Sequence, residues 1–171
     1  NESKFKEETL IRNEEFPINY GKGMCTLKSF RYSGSKIDHD LILKPLEDSE
    51  FNFVVCVHEN VINLEFGLNL RTIEGTVIAG RQIALGDQNK GVDVLISVSF
   101  KNMLNHGHYF LSCGITTEEG GNRIFQNRYL DFLHISVPRL EDKDLQRNTG
   151  AFLLFEKMTS VESVHREGSE T

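Results

Sequence analysis

The residues with the most chemical potential fall in three short rows. In "EFGLNLRTIEGTVIAGR", residues 65–81, the polar Glu65, Asn69 and Arg71 alternate with Leu64, Phe66, Leu68 and Leu70. Two later stretches repeat the pattern. His108, Phe110, Ser112 and Thr116 alternate with Tyr109, Leu111, Cys113 and Ile115, and Phe132, His134 and Ser136 alternate with Leu133, Ile135 and Val137. Period-two alternation predicts strands with one buried face, so the polar rows share the outer face if the strands are neighbours. Arg81 or Gln82 joins from the next strand, according to register. Such a face holds two aromatic rings beside amide, guanidinium, hydroxyl and imidazole groups. A sugar ring has apolar C–H faces and a rim of hydroxyls, and that mixture suits it. The Arg71 fork can also grip a phosphate or carboxylate, which would suit a glycan with an anionic cap. The same face could instead be covered by the N-terminal segment or a second subunit, or be merely solvated.

Other chemistries find less support. No GxxxxGKS/T, GxSxG, HExxH or GxGxxG occurs. His106-Gly107-His108 reads as a polar turn before a strand rather than a metal pair. Glu65, Asp87 and Asp93 could be imagined as a glycosidase pair, but nothing in their spacing requires it. No catalytic residue, metal or cofactor is expected. Cys25, Cys56 and Cys113 lie in predicted strands without a CxxC pair, which suits reduced core thiols. The net charge of -6 disfavours a nucleic-acid partner.

The elements that must position these rows are strands. They are predicted at Met24–Tyr32, Leu41–Lys44, Phe51–His58, Asn63–Arg71, Thr76–Ile83, Val92–Lys101, His108–Thr117 and Tyr129–Val137, with a last apolar piece at Ala151–Phe155. Many short strands between turn signals predict an all-β, immunoglobulin-like antiparallel β-sandwich of two sheets. The 171 residues, 39% hydrophobic and 26% charged, suit one globular domain. Residues 1–19 read as a linker or short helix, 20–156 as the sandwich, and 157–171 as a polar, fraying tail. The start, Asn1-Glu2-Ser3, reads as that of a fragment of a longer protein.

From Tyr20 to Val137 the order of features resembles the C-terminal domain of the ATP-binding subunit of O-antigen polysaccharide ABC transporters, the Wzt family. The resemblance rests on "YGKGMCTLKSFRYSG", "LEFGLNLRTIEGTVIAGRQ" with Gly67, Gly75 and Gly80, "GHYFLSCGITTEE" and "YLDFLHISV". It implies an immunoglobulin-like sandwich on the cytoplasmic face of a bacterial inner membrane, tethered to its own ATPase domain and working with the transporter's membrane subunit. It implies non-catalytic binding of the non-reducing terminus of an O-polysaccharide, and a homodimer able to exchange its C-terminal strand, for which Gly150–Phe155 is the candidate. The expected site is Glu65, Asn69, Arg71, Arg81, Phe110, Ser112, Phe132 and His134. The alternative is a protein-interaction or dimerisation sandwich that binds no glycan.

Overall fold

The computed structural model describes residues 11–12, 21–32, 40–143, 146 and 149–153. It has nine strands: β1 (Ile11–Arg12), β2 (Cys25–Tyr32), β3 (Asp40–Ile42), β4 (Asp48–Val57), β5 (Val61–Thr72), β6 (Val77–Gln88), β7 (Asp93–Lys101), β8 (Gly107–Glu119) and β9 (Asn122–Val137). They form two sheets, in the orders β1-β2-β4-β7 and β3-β9-β8-β5-β6. No α-helix occurs among the described residues. The three rows of the sequence therefore do share a sheet, with β6 at its edge, as expected of an immunoglobulin-like sandwich. Cys56 and His58 belong to the other side.

Several boundaries differ from expectation; β4 starts at Asp48 rather than Phe51 and β6 runs to Gln88 rather than Ile83. Residues 11–12 pair antiparallel with β2, inside the stretch read as linker. The Leu41–Lys44 strand is Asp40–Ile42, an edge strand parallel to β9, where Pro45 breaks no ladder. β9 starts at Asn122 rather than Tyr129, because Gly120 and Gly121 close a two-residue hairpin turn with φ of 57° and 80°. Of the last apolar piece, Phe152 makes a single bridge to Leu104, and residues 154–155 lie outside the described residues.

The inward positions behave as period two dictates. Leu64, Phe66, Leu68, Tyr109, Leu111, Cys113, Ile115, Leu133, Ile135 and Val137 are all buried. They meet Leu27, Phe30, Phe51, Phe53, Val55 and Val57 of the facing sheet. An aromatic chain runs through this layer, with ring centroids 4.9 Å apart for Phe30–Phe53 and 4.8 Å for Phe53–Phe66. Such pairs add about 0.5–1.5 kcal/mol each beyond their buried area. Cys25 and Cys113 are buried free thiols, and burial pushes Cys25 up to about 11.

One polar link crosses the core. β2 carries an extra residue at Lys28, where its register against β4 shifts. The freed backbone N–H of Leu27 donates to the Tyr129 hydroxyl at 3.0 Å. Tyr129→Phe leaves that buried donor unpaired, so a loss of about 1–3 kcal/mol in denaturant unfolding is expected. A change below a few tenths would show that the N–H finds another partner.

Candidate functional site

The outer face of the five-stranded sheet is a grid of cross-strand rows, fixed by register. One row runs Gln82, Gly67, Gly114, Arg128. Toward the β8–β9 turn lies Ala84, Glu65, Thr116, Phe125, and on the other side lies Gly80, Asn69, Ser112. The glycine row has no side chains in its middle, so it forms the floor of a groove. The groove holds about 480 Å³ and is lined by Glu65, Asn69, Gln82, Ser112, Thr116, Phe125 and Arg128 among others. That volume lies within the range of about 300–1,000 Å³ typical of small-ligand sites. Glycine costs strand stability, so paired glycines in adjacent strands mark a close approach to the backbone.

The walls differ in chemistry. Phe125 is 43% exposed, and its ring lies over Gly114, where a Cβ would come within 3.2 Å of Cε1. The Arg128 guanidinium carbon stands 5.3 Å from the centre of that ring. Asn69, Gln82 and Thr116 line the groove as uncharged amide and hydroxyl groups. Glu65 is paired with Arg123, whose Nη1 also donates to the Asn63 carbonyl at 2.6 Å.

Of the expected site residues, Glu65, Asn69, Arg81 and Ser112 line this groove. Arg81 stands opposite Leu68, whereas Gln82 stands opposite Gly67. Opposed residues share a face, so Gln82 stands over the glycine row, while Arg81 lines the groove from its place on the edge strand. Phe132 is a correction: it is buried and packs edge-on to Phe30 at 5.4 Å. Between the pairs Leu111–Leu133 and Cys113–Tyr129, β8 has one residue and β9 has three. This bulge, with Asp131 at φ 50°, breaks the alternation. Phe132 and Leu133 both turn inward, and Asp131 turns outward.

Asp131 also changes the role of Arg71. The Arg71 Nε donates to Asp131 Oδ1 at 2.6 Å, and Nη2 donates to Oδ2. The Ser112 hydroxyl donates to Oδ1 at 3.3 Å and accepts from the Asp131 backbone N–H at 2.8 Å. Arg71 then lies over Phe110, 4.8 Å from the ring centre, and His134 flanks that ring at 5.2 Å. The Arg71 fork is thus occupied and the Phe110 face covered. His134 belongs to a further chain, with Nε2 3.0 Å from His108 Nδ1 and Nδ1 2.6 Å from Asp40 Oδ1. These residues form a self-satisfied row beside the groove. His106 bonds to Asn105 instead, and no group of three metal-ligating side chains is assembled among the described residues. Asp93 sits in the other sheet, paired with Lys28, and Asp87 accepts the Asn63 backbone N–H at 2.9 Å.

The Arg71 fork holds the Asp131 carboxyl below its ordinary range, with burial opposing and Ser112 assisting. A depressed folded-state pKa stabilises above the unfolded value of about 3.9 and loses that contribution as pH falls through the folded value. Asn tolerates the left-handed backbone at this position, so Asp131→Asn isolates the charge. A half-exposed pair is worth up to about 1 kcal/mol. The expected result is a deficit of that size in urea unfolding at pH 7 that shrinks below about pH 4. A deficit unchanged at pH 3 would assign the effect to shape instead.

Phe125 and Arg128 escape a reading that starts β9 at Tyr129, whereas Asp131 lies inside that strand and is turned outward only by the bulge. The signal was present in Gly120-Gly121: a two-residue hairpin turn obliges β9 to begin at once and to run back along β8.

A two-sheet sandwich with a glycine-floored, amide-lined groove on its outer face has the form of a binding module. The model of the Wzt C-terminal domain family matches residues 18–153. The chain belongs to that family, and is the carbohydrate-binding domain of a Wzt-type ABC transporter subunit, distinct from the ATPase domain. A solved structure, the crystal structure of the C-terminal domain of Wzt, shares the fold with a TM-score of 0.69 at 19% identity, over 88% of this chain and 90% of that one. No curated protein matches the chain.

Proposed function

We propose that the groove binds the non-reducing terminus of an O-antigen polysaccharide and so confers substrate specificity on the ABC exporter. The observation that carries this reading is the open Phe125 ring beside the Gly67–Gly114 floor, with the amides of Asn69 and Gln82 along the other side. An apolar ring face, a floor of backbone and uncharged planar donors match a sugar's C–H face and hydroxyl rim. The site so proposed is Glu65, Gly67, Asn69, Gln82, Ser112, Gly114, Thr116, Phe125 and Arg128, with Arg81 from the edge strand. The binding domain takes in residues 20–156 and the Ile11–Arg12 strand paired with β2, with the rest of 1–19 as its tether and 157–171 as a tail. It works at the cytoplasmic face of the inner membrane, with the ATPase domain and membrane subunit of the exporter. The test is calorimetric titration with O-polysaccharide released by mild acid from the lipopolysaccharide of the encoding bacterium, using intact and end-trimmed chains. Binding only to intact ends is expected; equal binding to both, or none, removes the reading.

A second partner reading rests on a separate feature. Between β6 and β7 the sandwich is open, and Leu70, Ala79, Val98, Phe100 and Phe152 line an apolar seam of about 250 Å³. Phe152, in the Gly150–Phe155 stretch, sits in this seam, which supports a homodimer that exchanges C-terminal strands there. Light scattering of the chain and of a form ending at Thr149 tests it: a dimer that persists without residues 150–171 rules out the exchange.

A further inference from the structure

The short connector Gly21–Met24 enters the sandwich at the back of the groove. Its backbone N–H groups do not join β2's ladder. Lys22 N–H donates to the Phe125 carbonyl at 3.2 Å and Gly23 N–H to the Gln126 carbonyl at 2.9 Å. Met24 N–H donates to the Gln126 side-chain Oε1 at 3.2 Å. The three donors thus converge on Phe125, which presents the exposed ring, and on its neighbour.

That neighbour is a bulge. Ile115 pairs with Asn127 and Thr116 with Phe125, so Gln126 is the extra residue in β9. A bulge disrupts the local ladder and lets the strand bend. Here the connector fills the gap. Gln126 is fully buried and its amide donates to the Thr117 hydroxyl at 2.6 Å and to Glu119 at 3.3 Å. Glu119 in turn pairs with the Lys22 ammonium, which holds its carboxyl below the usual range. Gly21 is obligatory in this arrangement. Its φ is +152°, and a Cβ would lie 2.3 Å from the Gln126 carbonyl oxygen.

We infer that Gly21–Met24 is a positioning segment for the Phe125 platform, and that saccharide in the groove and docking of the connector stabilise one another. The inference rests on the carbohydrate reading of the groove. The physical link is short. The Phe125 ring already touches the Gly114 floor, so its place over the groove depends on the backbone of residues 125–126. Two of the carbonyls there are held by the connector, and undocking leaves the bulge free to relax. Whatever affinity docking adds for the saccharide, the saccharide adds to docking by the same factor. The segment that leads into the domain thereby registers whether the groove is filled.

The experiment pairs a variant with a measurement on the unchanged chain. Gly21→Ala pushes the connector off Gln126 without touching the groove, and is expected to weaken binding of the mild-acid O-polysaccharide about tenfold. In the unchanged chain, residue-resolved amide exchange at Lys22, Gly23 and Met24 is expected to slow when the saccharide is added. This second measurement stands even if Gly21→Ala fails to fold. Equal affinity of a folded variant, or exchange at those amides indifferent to saccharide, overturns the linkage. If no saccharide binds the unchanged chain, the carbohydrate reading falls by itself. The positioning role is then read from the Phe125 ring resonances of Gly21→Ala alone: a shift supports it, and unchanged resonances overturn it.

Discussion

Gly67→Ile is expected to abolish saccharide binding while the domain stays as stable as before or becomes more so. The two halves of this result have separate causes. Gly67 sits on the groove floor with no clash awaiting a side chain: the nearest atom to an added Cβ is the Gly114 carbonyl oxygen at 3.9 Å. Its backbone is ordinary strand, and a β-branched residue suits a strand better than glycine by up to about 1 kcal/mol. The side chain has only the groove to occupy, however. It would stand where the sugar must meet the backbone, between Asn69, Gln82 and Phe125. A loss of at least about tenfold in affinity, or 1.4 kcal/mol, is the minimum expected. Titration and thermal unfolding of the same preparation check it. Undiminished binding would move the site off this row. Gly114 could not serve as well, because a Cβ there pushes on the Phe125 ring at 3.2 Å and would confound platform with floor.

The sandwich and the shared sheet were legible because strand alternation follows directly from burying one face. β5 and β8 obey it along their middles, so Glu65 and Asn69 fall where the pattern puts them. The errors cluster on β9, where two bulges interrupt the period. A bulge depends on tertiary partners: Asp131 is held out by Arg71, and the Gln126 step is held by the connector. Neither partner is near in sequence. Arg81 illustrates a different limit. Alternation leaves its face undecided until the β5–β6 register is known, and a one-residue slip exchanges it with Gln82. The Arg71 fork shows the same dependence on distant partners: it grips a carboxylate, and that carboxylate is Asp131, sixty residues along the chain.

The phenylalanines of the face allow the sharpest separation of fold from function. Phe132→Ala is expected to cost about 3–5 kcal/mol of stability, a large share of the ~5–15 kcal/mol that holds a domain folded. Phe132 is buried, edge-on to Phe30 at 5.4 Å and near Phe53 at 6.5 Å. The bulge that turns it inward also fixes its backbone, so the cavity left by alanine cannot readily collapse. Phe125→Ala is expected to do the opposite. Its ring is 43% exposed and lies over Gly114 beside Arg128, so unfolding should shift by about 1 kcal/mol or less, while saccharide affinity falls with the loss of the platform. Phe110→Ala belongs between them, since it removes a ring held by Arg71 and His134 at the border of the groove. Urea unfolding and saccharide titration of the three variants give a two-way ranking. If Phe132→Ala proves mild and binding-deficient, the inward turn of β9 is wrong and the outward alternation holds. If Phe125→Ala binds normally, the aromatic platform is elsewhere on the sheet.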